Sequence, residues 1–467
     1  MNHSVSKKAA LWTSAMGAFL TPFMGSSINI ALPEIGRTFA MGAIALGWVA
    51  TSFLVTSAMC LVPFGRLADI HGRKRIFTYG IVVYTLSSLL AALSTSATFL
   101  IAARAVQGVG GAMIFGTGMA ILTSVFPIHE RGRALGINVA AVYLGLSLGP
   151  FFGGLLTQYL GWRSVFLINV PLGLVTLFAI AWKLKGEWAE ARGERFDWIG
   201  SVIYSLSLVT LMYGLSRLPA GVGGWLLIAG LIGLGGFAIW EAKTRSPILD
   251  VNLFRHNQVF ALSNLAALIN YSATFAVGFL LSLFLQSIKG LSPQSTGLIM
   301  VAQPAVQAAF SPLAGQLSDR VEPRVVASMG MAFTVIGLSL LTFLSATTAL
   351  VLIVADLMLL GFGFALFSSP NTNAIMSSVD RRFYGIASGT LGTMRLIGQM
   401  FSMGITMLVF ALYLGQAPIT AESSPLFLRS ERTIFTIFAL LCFGGIFASL
   451  GRGRVHEVTS SQGASRQ

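Results

Sequence analysis

The sequence Gly65-Arg66-Leu67-Ala68-Asp69-Ile70-His71-Gly72-Arg73-Lys74-Arg75 is a short basic loop between two apolar stretches, residues 46–65 and 76–94. Each stretch is about 20 residues long, which is the length that an α-helix needs to cross the hydrocarbon core of a bilayer. The glycines permit a tight turn and a close approach of the flanking helices. The carboxylate of Asp69 can face a helix N-terminus or an arginine. The loop therefore predicts two membrane helices joined by a tight, charged connection.

Apolar stretches of this kind recur along the whole chain. Of the 467 residues, 55% are hydrophobic and only 10% are charged, whereas a soluble domain has about 25% charged residues. We predict an all-α membrane protein that spans the lipid bilayer fourteen times, at residues 11–32, 46–65, 76–94, 98–122, 135–159, 163–183, 198–216, 222–240, 259–284, 295–316, 325–345, 349–369, 385–413 and 433–450.

The positive charges are distributed unevenly among the loops. With Lys7 and Lys8 placed in the cytoplasm, 22 of the 30 Lys and Arg residues fall in loops or tails on that side, 6 fall on the other side and 2 fall within spans, where Arg163 and Lys183 at the two ends of a span are counted with the adjoining loops. Such an excess indicates membrane orientation. The net charge of +14 therefore does not indicate a nucleic-acid partner. We predict a multi-pass protein of the bacterial inner membrane with both termini in the cytoplasm.

The chain also repeats itself. The segment ending in Asp69 after the second stretch is echoed by Pro312-Leu-Ala-Gly315-Gln-Leu317-Ser-Asp319-Arg320 after the tenth, 250 residues later. The alternative is chance similarity among glycine-rich helices. Duplicated halves around a central site are the usual construction of secondary carriers. We predict an N-terminal six-helix bundle (1–190), two additional helices (191–257) and a C-terminal six-helix bundle with a tail (258–467).

The basic loop resembles the cytoplasmic signature of the major facilitator superfamily, G-x-L-A-D-x-x-G-R-K, in which Gly65, Asp69, Gly72 and Arg73 match. The resemblance implies the major facilitator fold, and it implies that this loop and its second copy, including Asp319 and Arg320, change contacts when the two halves move. An ordinary basic loop is the alternative interpretation.

The fourth span carries Arg104-Ala-Val-Gln107-Gly108, which is similar to the R-x-x-Q-G pattern of the same superfamily. The resemblance implies that this arginine takes part in proton transfer. The alternative is a structural partner such as a backbone carbonyl, because an arginine within a span needs a wet cavity or a partner.

The fifth span has glycines at spacings that place them on one helix face. Small residues on one face let another helix approach closely, and general packing is the alternative interpretation of this pattern. The complete string, G-x-x-x-G-P-x-x-G-G, resembles the antiporter signature of drug:proton exchangers and favours export. Its residues are Gly145, Gly149, Pro150, Gly153 and Gly154.

The segment from Gly161-Trp162-Arg163 to Asn169-Val-Pro171 resembles the W-R-x-x-F-x-I-N-x-P run of the fourteen-helix drug:proton antiporter family. The first span departs from that family. Asn29 and the Ala-Leu-Pro end are present, but Met24 occupies the acidic position. A methionine cannot carry a proton, so the role of the family's first-helix acid does not transfer to this chain.

Another intramembrane acid is therefore needed for proton coupling, and Asp356 is the one acidic residue that lies clearly inside a predicted span. We hypothesise that it is a proton or cation site. The alternatives are a structural pair with Arg104 or with the backbone, and exposure at the outer edge. For Arg395 in the thirteenth span, a packing hydrogen bond and an anion contact both remain open.

These observations predict a proton-coupled exporter of drugs or other lipophilic toxic compounds that works by alternating access. The alternative is a proton symporter or exchanger for a metabolite or organic anion. No nucleotide-binding or zinc motif is present, so we predict neither an enzyme nor a cofactor or metal, and the energy source is the proton gradient. The sequence does not indicate whether a periplasmic adaptor and an outer-membrane channel assist.

Overall fold

The structure is a computed structural model that describes residues 7–244, 247–249, 251–379, 384–415, 417, 419 and 423–453. Fourteen helices in these residues are long and apolar enough to cross a membrane, as the sequence predicted. They are α1 Lys7–Thr38, α2 Ala43–His71, α3 Arg73–Ala92, α4 Ala97–Val125, α5 Ile128–Leu160, α6 Arg163–Lys183, α7 Trp198–Arg217, α8 Gly221–Glu241, α9 Gln258–Ile288, α10 Pro293–Arg320, α11 Pro323–Leu341, α12 Leu350–Ser377, α13 Tyr384–Tyr413 and α14 Ser424–Gly451.

Several helices begin at a side chain that accepts a hydrogen bond from the first turn. Ser96 caps α4, Asp197 caps α7 and Ser292 caps α10. Such caps satisfy backbone N–H groups that have no partner within the helix. Polar residues therefore begin these helices at the edges of the apolar stretches.

The helices extend beyond the apolar stretches that predicted them. Helix α14 begins at Ser424, nine residues before the predicted start, because a helix can continue through polar residues once it leaves the hydrocarbon. Asp356 is still the one acidic residue within a predicted apolar stretch, whereas the extensions of the helices add further acids, among them Glu34, Glu241 and Glu431.

The helices form two compact units. Unit 1 contains residues 1–248, 277–301 and 403–427, and unit 2 contains residues 249–276, 302–402 and 428–467. In unit 1, α1 packs on α5, α4 packs on α2 and α3, and α7 packs on α8. In unit 2, α12 packs on α9, α10 and α11. The division of the chain into 1–190, 191–257 and 258–467 stays a prediction.

Candidate functional site

The loop between α2 and α3 is held by a network around Arg73, whose side chain is 7% exposed. Its guanidinium donates to Asp69 Oδ1 at 2.8 Å and to both carboxylate oxygens of Glu190 at 2.7 and 3.0 Å. It also donates to the Ala120 carbonyl and the Ser124 hydroxyl of α4. Paired N–H···O bonds between a guanidinium and a carboxylate are among the stronger hydrogen bonds in proteins. Arg73 therefore joins the loop to α4 and to a segment distant in sequence.

That segment is the connection between α6 and α7, residues 184–197, which we name the acidic linker. The carboxylate of Glu187 accepts from the backbone N–H groups of Lys74 at 2.8 Å and Arg75 at 3.2 Å. It thereby caps the N-terminus of α3, where a negative charge is favourable. Gly72 has a φ of 120° and lies against the Glu187 side chain, where a Cβ atom would clash. The glycine is thus required both by its backbone conformation and by the lack of space.

Further contacts continue along the acidic linker. The N–H of Arg73 donates to the Trp188 carbonyl at 2.8 Å, and the N–H of Ala191 donates to the Asp69 carbonyl at 2.9 Å. Glu194 forms an ion pair with Arg66. The linker and the loop are therefore connected by main-chain and side-chain bonds.

The second copy of the loop is organised differently. Asp319 Oδ1 accepts from Asn373 Nδ2 at 3.3 Å, and the same amide donates to Ser318 Oγ at 3.1 Å. Both Asp319 and Arg320 are exposed. The repeat in the sequence therefore does not produce a repeated ion-pair network in the part of the chain that the structure describes.

Arg104 of α4 lies in a buried polar cluster within unit 1 and is 2% exposed. It donates to the Val49 carbonyl of α2 at 3.1 Å and to Gln107 Oε1, and Gln107 in turn donates to Ser88 Oγ of α3 at 2.7 Å. The guanidinium carbon lies 4.6 Å from the ring centre of Phe53, within range of a cation–π interaction. The structure thus brings together Arg104 and Gln107 of the R-x-x-Q-G pattern, and the Val49 carbonyl is a backbone partner of the kind that the structural interpretation considered.

The glycines of α5 lie against α1. A Cβ atom at Gly145 would lie 2.7 Å from the Phe19 carbonyl oxygen, and one at Gly153 would lie 2.8 Å from Ser27 Cα. At Gly149 it would clash with the Ser26 hydroxyl. Ser27 Oγ donates to the Gly149 carbonyl at 2.8 Å, so close approach makes an interhelical hydrogen bond possible.

The remaining residues of the glycine string contact α10. A Cβ atom at Gly154 would lie 2.7 Å from the Pro293 carbonyl oxygen, and the Pro150 carbonyl lies against Gly297. These segments all belong to unit 1. The string therefore provides two close contacts, one with α1 and one with the first turns of α10.

Asn169 of α6 contacts Met24, the residue at the family's acidic position in α1. Asn169 Nδ2 lies 3.2 Å from Met24 Sδ and donates to the Val165 carbonyl at 3.0 Å. Both side chains are almost fully buried. Elsewhere in α1, the Asn29 carbonyl accepts from Ser282 Oγ of α9 at 2.6 Å. Asn29 therefore lies at a contact between α1 and α9, about one and a half helix turns from Met24.

Asp356 of α12 lies in unit 2 and is 6% exposed, which excludes the outer-edge interpretation. Neither of its carboxylate oxygens has a hydrogen-bond partner among the described residues. A Cβ atom at Gly337 of α11 would lie 3.2 Å from Oδ1, so the carboxylate faces the interface between α11 and α12. Within unit 2 no described backbone group is its hydrogen-bond partner, so the structural pair with the backbone is not supported.

Arg395 of α13 lies beside Tyr271 of α9, and its guanidinium carbon is 5.2 Å from the ring centre. This contact is a cation–π interaction between two helices of unit 2. It is a packing contact of a different kind from the hydrogen bond that the sequence analysis considered.

Three features of the described residues were missed by the sequence analysis. The first is the acidic linker, although the spacing of Glu187, Glu190 and Glu194 in a basic region was a usable signal. The second is Glu431, which fell outside the predicted fourteenth span.

The third missed residue is Arg452, which follows α14 and is fully buried. It donates to Asn371 Oδ1 at 2.6 Å, to Ser263 Oγ at 3.1 Å and to the Pro323 carbonyl at 2.9 Å. Burial, together with the nearby charge of Arg324, lowers the pKa of its guanidinium to about 10. It therefore remains charged at neutral pH and fastens the end of α14 to α9, α11 and α12.

Comparison with known proteins agrees with this architecture. The chain is 29% identical over 435 residues to the riboflavin transporter RibZ of Clostridioides difficile (strain 630), covering 93% of this chain and 95% of the relative. It is 32% identical over 412 residues to the multidrug resistance protein Stp of Mycobacterium tuberculosis (strain CDC 1551 / Oshkosh), covering 86% and 76%. The solved structure of the nucleoside transporter NupG has a TM-score of 0.66 at 14% identity, covering 96% and 100%, and shows the same fold.

A family profile described as Major Facilitator Superfamily matches residues 14–403 and 264–465. The two matches overlap and together cover residues 14–465, so they extend into all fourteen spanning helices. The chain is thus a multi-pass membrane transporter of small molecules rather than an enzyme, and it belongs to the Major Facilitator Superfamily.

Proposed function

We propose that this chain is a proton-coupled exporter of drugs or other lipophilic toxic compounds and that it works by alternating access. The glycine string of α5, Gly145 to Gly154, supports export, because it resembles the signature of drug:proton exchangers and lies at two close helix contacts. A relative named as a multidrug resistance protein, Stp, supports the same substrate class.

The observation that carries proton coupling is Asp356, a buried carboxylate without a hydrogen-bond partner in the described residues. An ionised carboxylate in this position is costly unless a proton or a cation accompanies it. A protonated Asp356 would release its proton when a cationic substrate arrives, and it would be reprotonated from the other side after the substrate leaves. Arg104, Gln107 and Asn29 are proposed to assist coupling or to line the cavity.

We further propose that the protein lies in the inner membrane of a bacterium with both termini in the cytoplasm. In this orientation the loop Gly65–Arg75 and the acidic linker face the cytoplasm. They would hold the N-terminal bundle while the two halves move, with Asp319 and Arg320 on the corresponding loop of the other half. The proton gradient would supply the energy.

The first experiment compares cells that lack the protein with cells that overproduce it, using a panel of cationic, anionic and neutral toxic compounds. We expect higher resistance to lipophilic compounds in the overproducing cells.

The second experiment uses proteoliposomes with an imposed pH gradient and the compound that gave the largest effect on resistance. Transport of that compound without any response to the pH gradient would refute proton coupling.

A second candidate function is proton symport or exchange of a metabolite or organic anion. The relative RibZ, which is named as a riboflavin transporter, favours it. The buried Arg104, whose hydrogen-bond partners are uncharged, is also compatible with an anionic substrate. Uptake of riboflavin or another metabolite into proteoliposomes, with no change in resistance in cells, would support this function over export.

A further inference from the structure

Unit 2 contains a second buried carboxylate, Glu431 of α14. Its side chain is 1% exposed, and neither oxygen has a hydrogen-bond partner among the described residues. Glu431 is the eighth residue of α14, so it lies about 10 Å along the axis from the first residue at 1.5 Å per residue. It is therefore well inside the helix and beyond the first turn, where free N–H groups could have stabilised its charge.

The buried face of α14 that follows Glu431 is apolar. On the same face of α14, Ile434, Phe435 and Phe438 are fully buried. One turn further, the Cys442 thiol lies 3.7 Å from the Met331 carbonyl of α11. This face of α14 therefore offers no opposite charge.

The charged groups on and near α14 are directed elsewhere. Arg429 and Arg432 are exposed, and Arg432 Nε donates to the Thr342 carbonyl at the end of α11 at 3.0 Å. Helix α9 has no charged residue, α11 has only Arg324 in its first turn, and α13 has only Arg395. Arg395 lies against Tyr271. Glu431 thus has no ion-pair partner in the described residues.

Glu431 has a counterpart in Asp356. Helices α12 and α14 both enter unit 2 from the side on which α11 ends, and the two acids are the seventh and eighth residues of their helices. Asp356 faces Gly337 of α11. Arg432, which follows Glu431, donates to the carbonyl of Thr342 just after α11. The two carboxyl groups therefore lie at similar depth beside the same end of α11.

We propose that Glu431 is a second proton-binding site and that each transport cycle carries a proton on Glu431 as well as one on Asp356. A buried carboxylate without a partner is costly as an anion and much less costly as a neutral acid. In each cycle both carboxyl groups release their protons to the cytoplasmic water when substrate binds and take up protons from the opposite side after it leaves. This inference rests on the proposed proton-coupled export, with two protons entering for each molecule exported.

The first test measures protonation directly and does not depend on transport. Infrared difference spectra of the purified protein in lipid, recorded across a pH titration, report the carbonyl stretch of protonated carboxylic acids. We expect Glu431→Gln to remove one such band present at neutral pH. Glu431→Asp should shift that band rather than remove it, which separates loss of the acid from misfolding. If the Gln variant is folded and all bands persist, Glu431 is ionised and the proposal is wrong.

The second test measures coupling in proteoliposomes with the membrane potential clamped at zero and ethidium as the lipophilic cation. Each coupled proton contributes about a tenfold concentration ratio per pH unit, since tenfold corresponds to about 1.4 kcal/mol. We expect a limiting gradient of about 100-fold per pH unit for the wild type and about tenfold for Glu431→Gln. Arg429→Gln, an exposed change on the same helix, should match the wild type.

The outcomes distinguish this inference from the proposed function. An unchanged limiting gradient in Glu431→Gln would overturn the second site and leave proton-coupled export intact. No response of wild-type ethidium transport to the pH gradient would contradict coupling for this cation, and the infrared band of Glu431 would still decide whether the residue holds a proton.

Discussion

At the scale of single residues, the buried arginines have hydrogen-bond partners in the part of the chain that the structure describes, and two buried acids do not. Arg104 is buried with a carbonyl, an amide and an aromatic ring around it. Asp356 and Glu431 are buried with no hydrogen-bond partner in the described residues. A buried cation with hydrogen-bond partners contributes to the stability of the fold, whereas a buried acid without them destabilises the fold unless it is protonated. Asp356 and Glu431, which destabilise the fold when ionised, are therefore stronger candidates for proton coupling than Arg104.

For Asp356, we expect that Asp356→Asn removes this residue's proton from the cycle, which lowers the substrate gradient that a given pH gradient can sustain, and that it preserves exchange of substrate across the membrane without a gradient. The amide keeps the shape of the side chain but cannot exchange a proton. Both activities are measured in the same proteoliposomes. Asp197→Asn is the matched control, because asparagine caps a helix as well as aspartate does and only the hydrogen bond from Trp240 Nε1 to Asp197 Oδ2 is lost. Gradient-driven transport at the wild-type level in Asp356→Asn would remove this residue from the coupling mechanism.

For Arg104, we expect that Arg104→Lys destabilises the protein by about 1.5–3 kcal/mol, because an ammonium cannot reach Val49 and Gln107 with the geometry of a guanidinium. Thermal unfolding in detergent measures the change. Arg163→Lys is the control, since Arg163 also donates to a carbonyl, that of Ser94, and stacks on a ring, that of Trp162, but is exposed. Equal effects of the two substitutions would show that burial of Arg104 is unimportant.

At the scale of helices, the contact between α1 and α5 depends on missing side chains. We expect Gly149→Ala to force α1 and α5 apart and to destabilise the protein by about 1–3 kcal/mol, as overpacking does. The control is Gly136→Ala on the same helix, where a Cβ atom would meet nothing within 4 Å. That change should be neutral or stabilise the helix by up to about 1 kcal/mol. Thermal unfolding of both variants checks the difference, and equal melting temperatures would argue against close packing at Gly149.

The acidic linker gives a prediction for the loop before α3. We expect Glu187→Ala to speed amide hydrogen exchange at residues 73–75 by roughly 5–30-fold, because two hydrogen bonds to the start of α3 are lost and one or two kcal/mol corresponds to that factor. Hydrogen exchange with mass spectrometry measures this segment. Glu194→Ala, which removes only an ion pair between side chains, should change the exchange far less. An equal effect of both changes would mean that charge, rather than capping, holds the loop.

The helices themselves were predictable from the sequence, because the length of an apolar stretch is fixed by the bilayer. The sequence marked Arg104 and Gln107 as parts of one pattern, and their hydrogen bond was found only in the structure. The contact of Arg73 with Glu190 could not be predicted, because Glu190 lies 117 residues away and no local pattern encodes that contact. Glu431 was missed because hydropathy marks where a stretch is apolar, while hydrogen bonding decides where a helix begins.

At the scale of the whole molecule, the predicted orientation places most of the basic residues on one side. We expect cysteines introduced near the two termini, at Ser4 and Ser460, to react with a membrane-impermeant maleimide only after the cytoplasmic side is opened. A cysteine introduced at the exposed Ala346, in the connection between α11 and α12, should react in intact cells and serves as the control. Labelling of one terminus in intact cells would contradict the predicted topology.

Because unit 1 is built from three separate segments of the chain, it cannot finish folding until late in synthesis. Unit 1 needs residues 277–301 and 403–427 in addition to the first 248 residues. A ribosome that adds about 5–20 residues per second takes roughly 9–36 s to proceed from residue 248 to residue 427. During that time the first eight helices are already in the membrane with part of their packing surface uncovered. Translation pauses or membrane chaperones acting in this interval would therefore affect the yield of folded protein more than events at the start of synthesis.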